Sequence, residues 1–138
     1  MKKRIVSFVL VILMMTCTAV PALARASHYL DDYYVDLHAA GNGDMIVAVV
    51  VNGVGEQDKI GVTRIDIEKK VNGNWIYDRS LDAVDHPEFY AYNARSFLAD
   101  IPFEGDIGTT YRVTVMVYAR QGSGSDTGYV SSVPEVCK

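Results

Sequence analysis

The sequence predicts an all-β protein, a single antiparallel β-sandwich of about seven strands that follows a signal peptide. Apolar residues recur at every second position through most of the chain, as they do in half-buried strands. Short segments rich in Gly, Asn and Asp separate these runs, and no stretch has the apolar spacing of a long helix. A small barrel is the second interpretation of the same pattern.

The first 26 residues have the composition of a secretory signal peptide. Basic residues at positions 2–4 precede an apolar run over 5–20, and small residues follow up to Ala26. This order predicts export, with cleavage after Ala24 or Ala26 and no membrane insertion afterwards. The short basic opening is typical of bacteria. An uncleaved anchor and a lipoprotein modified at Cys17 are the weaker alternatives. Residues 27–138 then form one β-sandwich domain.

The charge of the exported domain excludes several classes of partner. Removal of the four basic residues of the first segment leaves nine Lys and Arg against 17 Asp and Glu, a net charge near −8. Nucleic-acid binding depends on clustered Lys and Arg, and the sequence contains no such cluster in the domain. We therefore expect no nucleic-acid or anionic-lipid partner, and an extracellular protein or a glycan instead.

The strands can be assigned in order along the chain. The first segment is followed by the turn signal of residues 40–44, and a continuous apolar run then indicates a central strand. Residues 52–61 are interpreted as a loop. Asn72 and Gly73, which both tolerate positive φ, predict a tight hairpin. The predicted strands begin at Tyr33 and cover 45–51, 62–70, 75–81, 96–103, 111–119 and 127–133.

Tyr111 opens the strand with the clearest alternation. It lies in phase with Val113, Val115 and Val117, so its ring is expected to face the core. A tyrosine at this position of a β-sandwich bonds the backbone a few residues upstream through its hydroxyl, which satisfies its one buried polar atom. Tyr118 is out of phase and is expected on the solvent side, as are Arg112 and Thr114.

Gly108 and Thr109 precede Tyr111 in a G-T-x-Y motif, and a Gly- and Ser-rich loop after this strand leads to a Ser-rich last strand. With these features the end of the chain resembles a fibronectin type III domain, one of the immunoglobulin-like sandwiches, in which a G-T-x-Y corner occupies the same place. The resemblance implies the sandwich fold and covers about 30 residues. Trp75 departs from the family, whose tryptophan lies on an early strand, and is interpreted as a structural residue.

The whole chain also resembles small secreted proteins of Gram-positive gut bacteria. Those proteins carry a D-x-I-G-x-x-x-I stretch, a hairpin and one tryptophan. In this sequence the stretch comprises Asp58, Ile60, Gly61 and Ile65. That group has no assigned activity, so the resemblance implies fold and secretion and no chemistry.

One loop between predicted strands concentrates polar and aromatic residues. Carboxylates with a histidine could ligate a metal or act as acid and base, but no second His or Cys cluster completes such a site. We expect no catalysis, no cofactor and no metal here, and a candidate recognition loop instead. Its residues are Asp85, His86, Glu88, Phe89, Tyr90 and Tyr92.

The tyrosines and one cysteine carry the remaining hypotheses. Several tyrosines are expected at the surface, where tyrosine favours recognition, although tyrosine is also simply a good strand former. They are Tyr33 or Tyr34, Tyr90, Tyr92, Tyr118 and Tyr129. Cys137 has no partner in the exported domain, so it is either an unimportant tail residue or the thiol of a disulfide-linked dimer.

The sequence does not identify a biochemical activity. A secreted, non-catalytic binding or adhesion module is the leading hypothesis. A structural or self-associating surface protein is the alternative, and a metal-binding or hydrolytic protein is the weakest. Fold alone decides none of these.

Overall fold

The computed structural model describes residues 27–138, so the predicted signal peptide lies outside the described residues. Over this range the chain is all-β, with one short 3₁₀ turn at Pro87–Phe89. The described part of the chain contains no helix long and apolar enough to cross a membrane. The strands are β1 (Leu30–Gly41), β2 (Asp44–Val71), β3 (Asn74–Asp82), β4 (Tyr90–Glu104), β5 (Thr110–Gln121), β6 (Gly124–Ser131) and β7 (Glu135–Val136).

The two predicted tight turns are confirmed. Asn42 and Gly43 join β1 to β2, and Asn72 and Gly73 join β2 to β3, each pair with positive φ at both residues. Positive φ at both central positions matches the right-handed twist of the flanking strands. The hairpins therefore form where the Asn-Gly pairs permit them.

The prediction of a loop over 52–61 is wrong, because these residues lie within β2, a strand of 28 residues. The first half of β2 (residues 44–53) pairs with β1 and β4, and the second half (residues 59–71) pairs with β3 and β5. The start of β4 also pairs with residues 57–61 of β2, so β4 spans both halves. The register with β4 shifts between Asn52 and Gln57. Gly55, at φ 80°, and the buried Gln57, whose amide donates to the Val54 carbonyl over 3.1 Å, lie in this irregular segment. The Gly-rich segment thus bends a strand instead of ending it.

All seven strands belong to one antiparallel sheet that curls around a single core as a half-barrel. This arrangement is compatible with a β-sandwich. The β1 end of the sheet lies against β6, where the rings of Tyr29 and Tyr33 occupy the space that a side chain at Gly124 or Gly128 would need. Small residues in β6 therefore allow the two ends of the sheet to approach each other.

The core consists of the residues that alternate inward from both halves of β2 and from β5. The predicted inward face of β5 is confirmed, with Tyr111, Val113, Val115, Val117 and Ala119 all fully buried. Ile65 and Ile67 face the same core, and so do Phe97, Ile101 and Phe103, as the alternation predicted. The backbone amide of Asp106 donates to the Tyr111 hydroxyl over 2.9 Å. The predicted tyrosine corner is thus present.

The C-terminal segment is held in the fold, contrary to the interpretation of Cys137 as an unimportant tail residue. The Cys137 amide donates to the Thr109 carbonyl, and the Cys137 carbonyl accepts from Gly108. Its Sγ lies 3.5 Å from the Gly43 carbonyl, and the residue is only 1% exposed. A disulfide to a second chain would therefore require this segment to leave the core.

A tyrosine–lysine surface as the candidate functional site

Three tyrosine rings surround the ammonium group of Lys59 on the outer face of the sheet. Lys59 Nζ lies 3.7 Å from the centroid of the Tyr90 ring, 6.0 Å from that of Tyr92 and 5.9 Å from that of Tyr118. A cation over an aromatic face is attracted by the negative charge of the ring face. We call these four residues the tyrosine–lysine surface.

The strand register brings these side chains together. Gly61 lies between Tyr90 of β4 and Tyr118 of β5, and Lys59 lies between Tyr92 and Arg120 in the same way. The Tyr90 and Tyr118 rings, on the two strands beside Gly61, lie edge to face with a centroid distance of 6.3 Å. Edge-to-face contact is a favoured geometry for aromatic pairs.

Gly61 is also required by the 3₁₀ turn that precedes β4. It has a φ of 153°, and a Cβ atom at this position would lie 2.1 Å from the carbonyl oxygen of Phe89. The turn therefore packs directly on the backbone of β2. This contact fixes the point at which Tyr90 and Tyr92 enter the sheet beside Lys59.

The predicted recognition loop divides into two parts. Tyr90 and Tyr92 belong to the tyrosine–lysine surface, and Tyr92 is 60% exposed. Phe89 is a core residue that anchors the loop, at 1% exposure, whereas Asp85 and Glu88 are exposed. The recognition role of this segment stays a prediction, and the burial of Phe89 removes that residue from its exposed surface.

His86 and Glu88 interact with each other at the 3₁₀ turn. The His86 ring stacks on Phe89 with a centroid distance of 4.8 Å, and its Nδ1 lies 3.0 Å from Glu88 Oε1. A hydrogen bond from its own backbone amide, followed by that from His86, lowers the pKa of the Glu88 carboxyl. This pair lies across the 3₁₀ turn, which is closed by the hydrogen bond from the Phe89 amide to the His86 carbonyl.

The residues of the D-x-I-G-x-x-x-I stretch have structural roles. Asp58 Oδ2 accepts a hydrogen bond from the Gly122 amide over 2.7 Å and so holds the turn between β5 and β6. Ile60 and Ile65 are fully buried. Asp58 thus attaches the β5–β6 turn to β2, and Gly61 does the same for the 3₁₀ turn. Lys59 lies between these two residues in the sequence.

Trp75 lies on β3, opposite Lys70 near the far end of β2 from Lys59. The guanidinium carbon of Arg112 lies 4.4 Å from the centroid of its ring, and Arg112 also binds Glu68 through two hydrogen bonds, which raise the pKa of the guanidinium. One face of the indole is thus covered. Trp75 is a partly exposed structural residue, and sequence alternation alone did not reveal its partner.

Within residues 27–138, no group of three or more His, Cys, Asp or Glu side chains is placed to hold a metal ion. Lys59 was missed by the sequence analysis, because it lies in the segment interpreted as a loop. The spacing of Tyr90 and Tyr92, two residues apart and hence on one face, was the available signal.

No protein-family model, curated protein or solved structure matches the chain. The resemblances to fibronectin type III domains and to secreted gut-bacterial proteins therefore rest on the residues themselves. The class defined here is that of a small antiparallel β-protein with an exposed aromatic and basic surface.

Proposed function

We propose that the protein is a secreted, non-catalytic binding module with an immunoglobulin-like or fibronectin type III-like sandwich fold. The pairing supports the sandwich: β1 and most of β4 pair with the first half of β2, whereas β3 and β5, with β6 beside it, lie along the second half. Only the start of β4, at residues 90–94, joins the two groups through residues 57–61 of β2. Two such groups, packed across one core, make a sandwich. The tyrosine corner at Tyr111 supports the same assignment.

The tyrosine–lysine surface carries the binding function. Tyr92 projects into solvent, while Tyr90 and Tyr118 are half-buried and hold each other in a fixed arrangement. Rigid aromatic rings make large contacts at a low cost in side-chain entropy. A lysine among them adds a hydrogen-bond donor for the polar groups of an extracellular protein or a glycan.

Binding by the domain can be measured against two kinds of target, isolated cell-wall polysaccharide and proteins of the culture medium. Tyr92→Ala should weaken the interaction about tenfold, as expected for an exposed aromatic anchor. Tyr77→Ala is the matched control, because Tyr77 is 59% exposed and lies on β3 away from Lys59. Equal loss in both variants, or no loss in either, would count against this site.

Export is a separate part of the proposal. The basic opening and the alanines at 22, 24 and 26 support cleavage that leaves a chain starting at Arg25 or Ser27. Amino-terminal sequencing of protein collected outside the cells tests this. A sequence starting at Met1, or a lipid on Cys17, would overturn it.

Self-association at the cell surface is the second candidate function. β3 pairs only with β2, so its other edge is free among the described strands, and it exposes Ile76 and Tyr77. Such an edge is a template for pairing with another chain. Analytical ultracentrifugation over a range of concentrations tests it, since a monomer at every concentration would exclude association through this edge.

A further inference from the structure

A second exposed surface lies on the outer face of β1, the first half of β2 and residues 96–104 of β4. Because Val47, Val49 and Val51 point into the core, the alternate residues of β2 and their neighbours point outward. We call this surface the acidic–apolar face. Its apolar side chains are Tyr34, Ile46, Ala48, Val50, Leu98 and Pro102.

The cross-strand register arranges this face in rows. Tyr34, Val50 and Leu98 form an apolar row, in which Tyr34 is 55% exposed and Leu98 is 71% exposed. In the next row Ala48 lies between Asp36 and Asp100. Because Ala48 is small, a shallow depression of about 240 Å³ opens beside it, lined in part by Val50, Leu98 and Asp100.

The charges on this face have one sign. None of the outward positions of the three paired segments is Lys or Arg, whereas five are acidic. Among residues 27–138, Asp36 has only His38 as an ionic partner and Asp100 has none. On the outer face of the other half of the sheet, by contrast, Arg112 neutralises Glu68. The five carboxylates are those of Asp32, Asp36, Asp44, Asp100 and Glu104.

We propose that the acidic–apolar face binds a cationic, amphipathic segment of another protein, with a Lys or Arg side chain in the depression at Ala48. The stem of such a side chain would pack on Val50 and Leu98 while its charged end remains near water. Asp100 lines the depression, and Asp36 lies on the other side of Ala48, roughly 10 Å from Asp100 at the backbone. The Asp100 carboxylate would meet the charged end, and Asp36 adds negative charge beside it.

The same charges argue against other occupants. A second copy of this face would bring five carboxylates against five, with no Lys or Arg among the outward positions to neutralise them. Like charges that face each other across an interface are unfavourable. An exposed apolar centre with charged surroundings, by contrast, is typical of a protein-interaction site.

The test uses a synthetic peptide in which lysine and leucine alternate, titrated into the 27–138 domain. A lysine–serine peptide of equal charge and a glutamate–leucine peptide are the comparison probes. We expect measurable binding of the lysine–leucine peptide only. Leu98→Ser and the double variant D36N/D100N should each weaken binding of the lysine–leucine peptide about tenfold. Leu98→Ser removes an apolar contact, and D36N/D100N removes two negative charges.

Three controls keep the result specific. The double variant E56Q/D85N removes the same charge elsewhere, and Tyr129→Ser alters a side chain about as exposed as Leu98. Neither variant should change the affinity, nor should Tyr92→Ala. Equal weakening by E56Q/D85N, equal binding of the lysine–serine peptide, or a dimer that Leu98→Ser disrupts would each overturn the proposal.

Discussion

The Tyr111 hydroxyl accepts a hydrogen bond from the backbone amide of Asp106, five residues earlier, over 2.9 Å. Burial raises the pKa of this hydroxyl, so it stays protonated and can also donate toward Asp106 Oδ2 at 3.4 Å. The bond ties the loop before β5 to the core. It gives a buried tyrosine its polar partner and the loop amide its acceptor.

Tyr111→Phe should therefore destabilise the domain by about 1–3 kcal/mol, because the Asp106 amide loses its acceptor. Tyr111→Ala also empties the space of the ring and should cost about 3–5 kcal/mol. Tyr118→Phe is the matched control in the same strand and should cost under about 0.5 kcal/mol. Urea denaturation compares the three. If Tyr118→Phe is as damaging as Tyr111→Phe, the inward face of β5 is assigned wrongly.

Gly61→Ala should destabilise the domain by about 2–4 kcal/mol, since the new methyl group collides with the Phe89 carbonyl in addition to the backbone strain. Gly55→Ala provides the comparison. Gly55 also has positive φ, but nothing lies within 4 Å of its Cβ position, so only the strain of about 1 kcal/mol remains. Thermal unfolding measures both, and equal costs would show that the turn does not pack on Gly61.

Cys137 offers a test of the buried C-terminal segment. Removal of residues 137 and 138 deletes three backbone hydrogen bonds, to Thr109, Gly108 and Gly43, and should cost about 2–4 kcal/mol. Cys137→Ala keeps those bonds and should cost only about 1 kcal/mol. A truncated chain as stable as the full domain would show that the segment is not held, and would again make Cys137 available for a disulfide between chains.

The N-terminal segment should become pH-sensitive through Asp126. The Ser27 hydroxyl first, and then the amides of Tyr29 and His28, bond its carboxylate and lower its pKa below the usual 3.8. A group with a lowered pKa contributes stability that is present above its unfolded pKa, and this stability is lost as the pH falls through the folded pKa. Wild type should thus be more stable than Asp126→Ala at neutral pH, with the gap closing below about pH 4.

The Asp126→Asn variant separates charge from hydrogen bonding, because its amide oxygen still accepts bonds but does not titrate in this range. The difference in the free energy of unfolding between wild type and Asp126→Asn should also decrease below about pH 4. Urea midpoints measured from neutral to acidic pH give all three curves. A gap between wild type and Asp126→Ala that is constant with pH would contradict the role of the carboxylate.

Strand alternation predicted the inward and outward faces correctly, because burial on one side of a strand leaves a period of two in the sequence. It failed at residues 52–61, where Gly53 and Gly55 resemble a loop although the ladder passes through a bend. A local signal cannot distinguish a bent strand from a loop, since the difference lies in the long-range partners. Those partners are Tyr90 and Tyr92 of β4 and Tyr118 of β5.

The candidate site was predicted only in part for the same reason. Tyr92 and Tyr118 were expected to be exposed, but Lys59 joins them through a register that spans distant parts of the chain. The acidic–apolar face is likewise invisible in sequence, because Asp36 and Asp100 become neighbours of Ala48 only after three strands pair. Cys137 is held by backbone hydrogen bonds to the Thr109 carbonyl and from the Gly108 amide, which composition does not encode.

β2 runs through both halves of the sheet without a break, and it is the central strand for four of the others. A chain cut within residues 44–71 should not give two stable fragments, because β1, β3, β4 and β5 all pair with β2 and each fragment would keep only part of that strand. Unfolding should accordingly be a single cooperative event. New chain termini, inserted tags or split-protein junctions belong in the exposed turn at residues 84–85, where the backbone leaves the ladders.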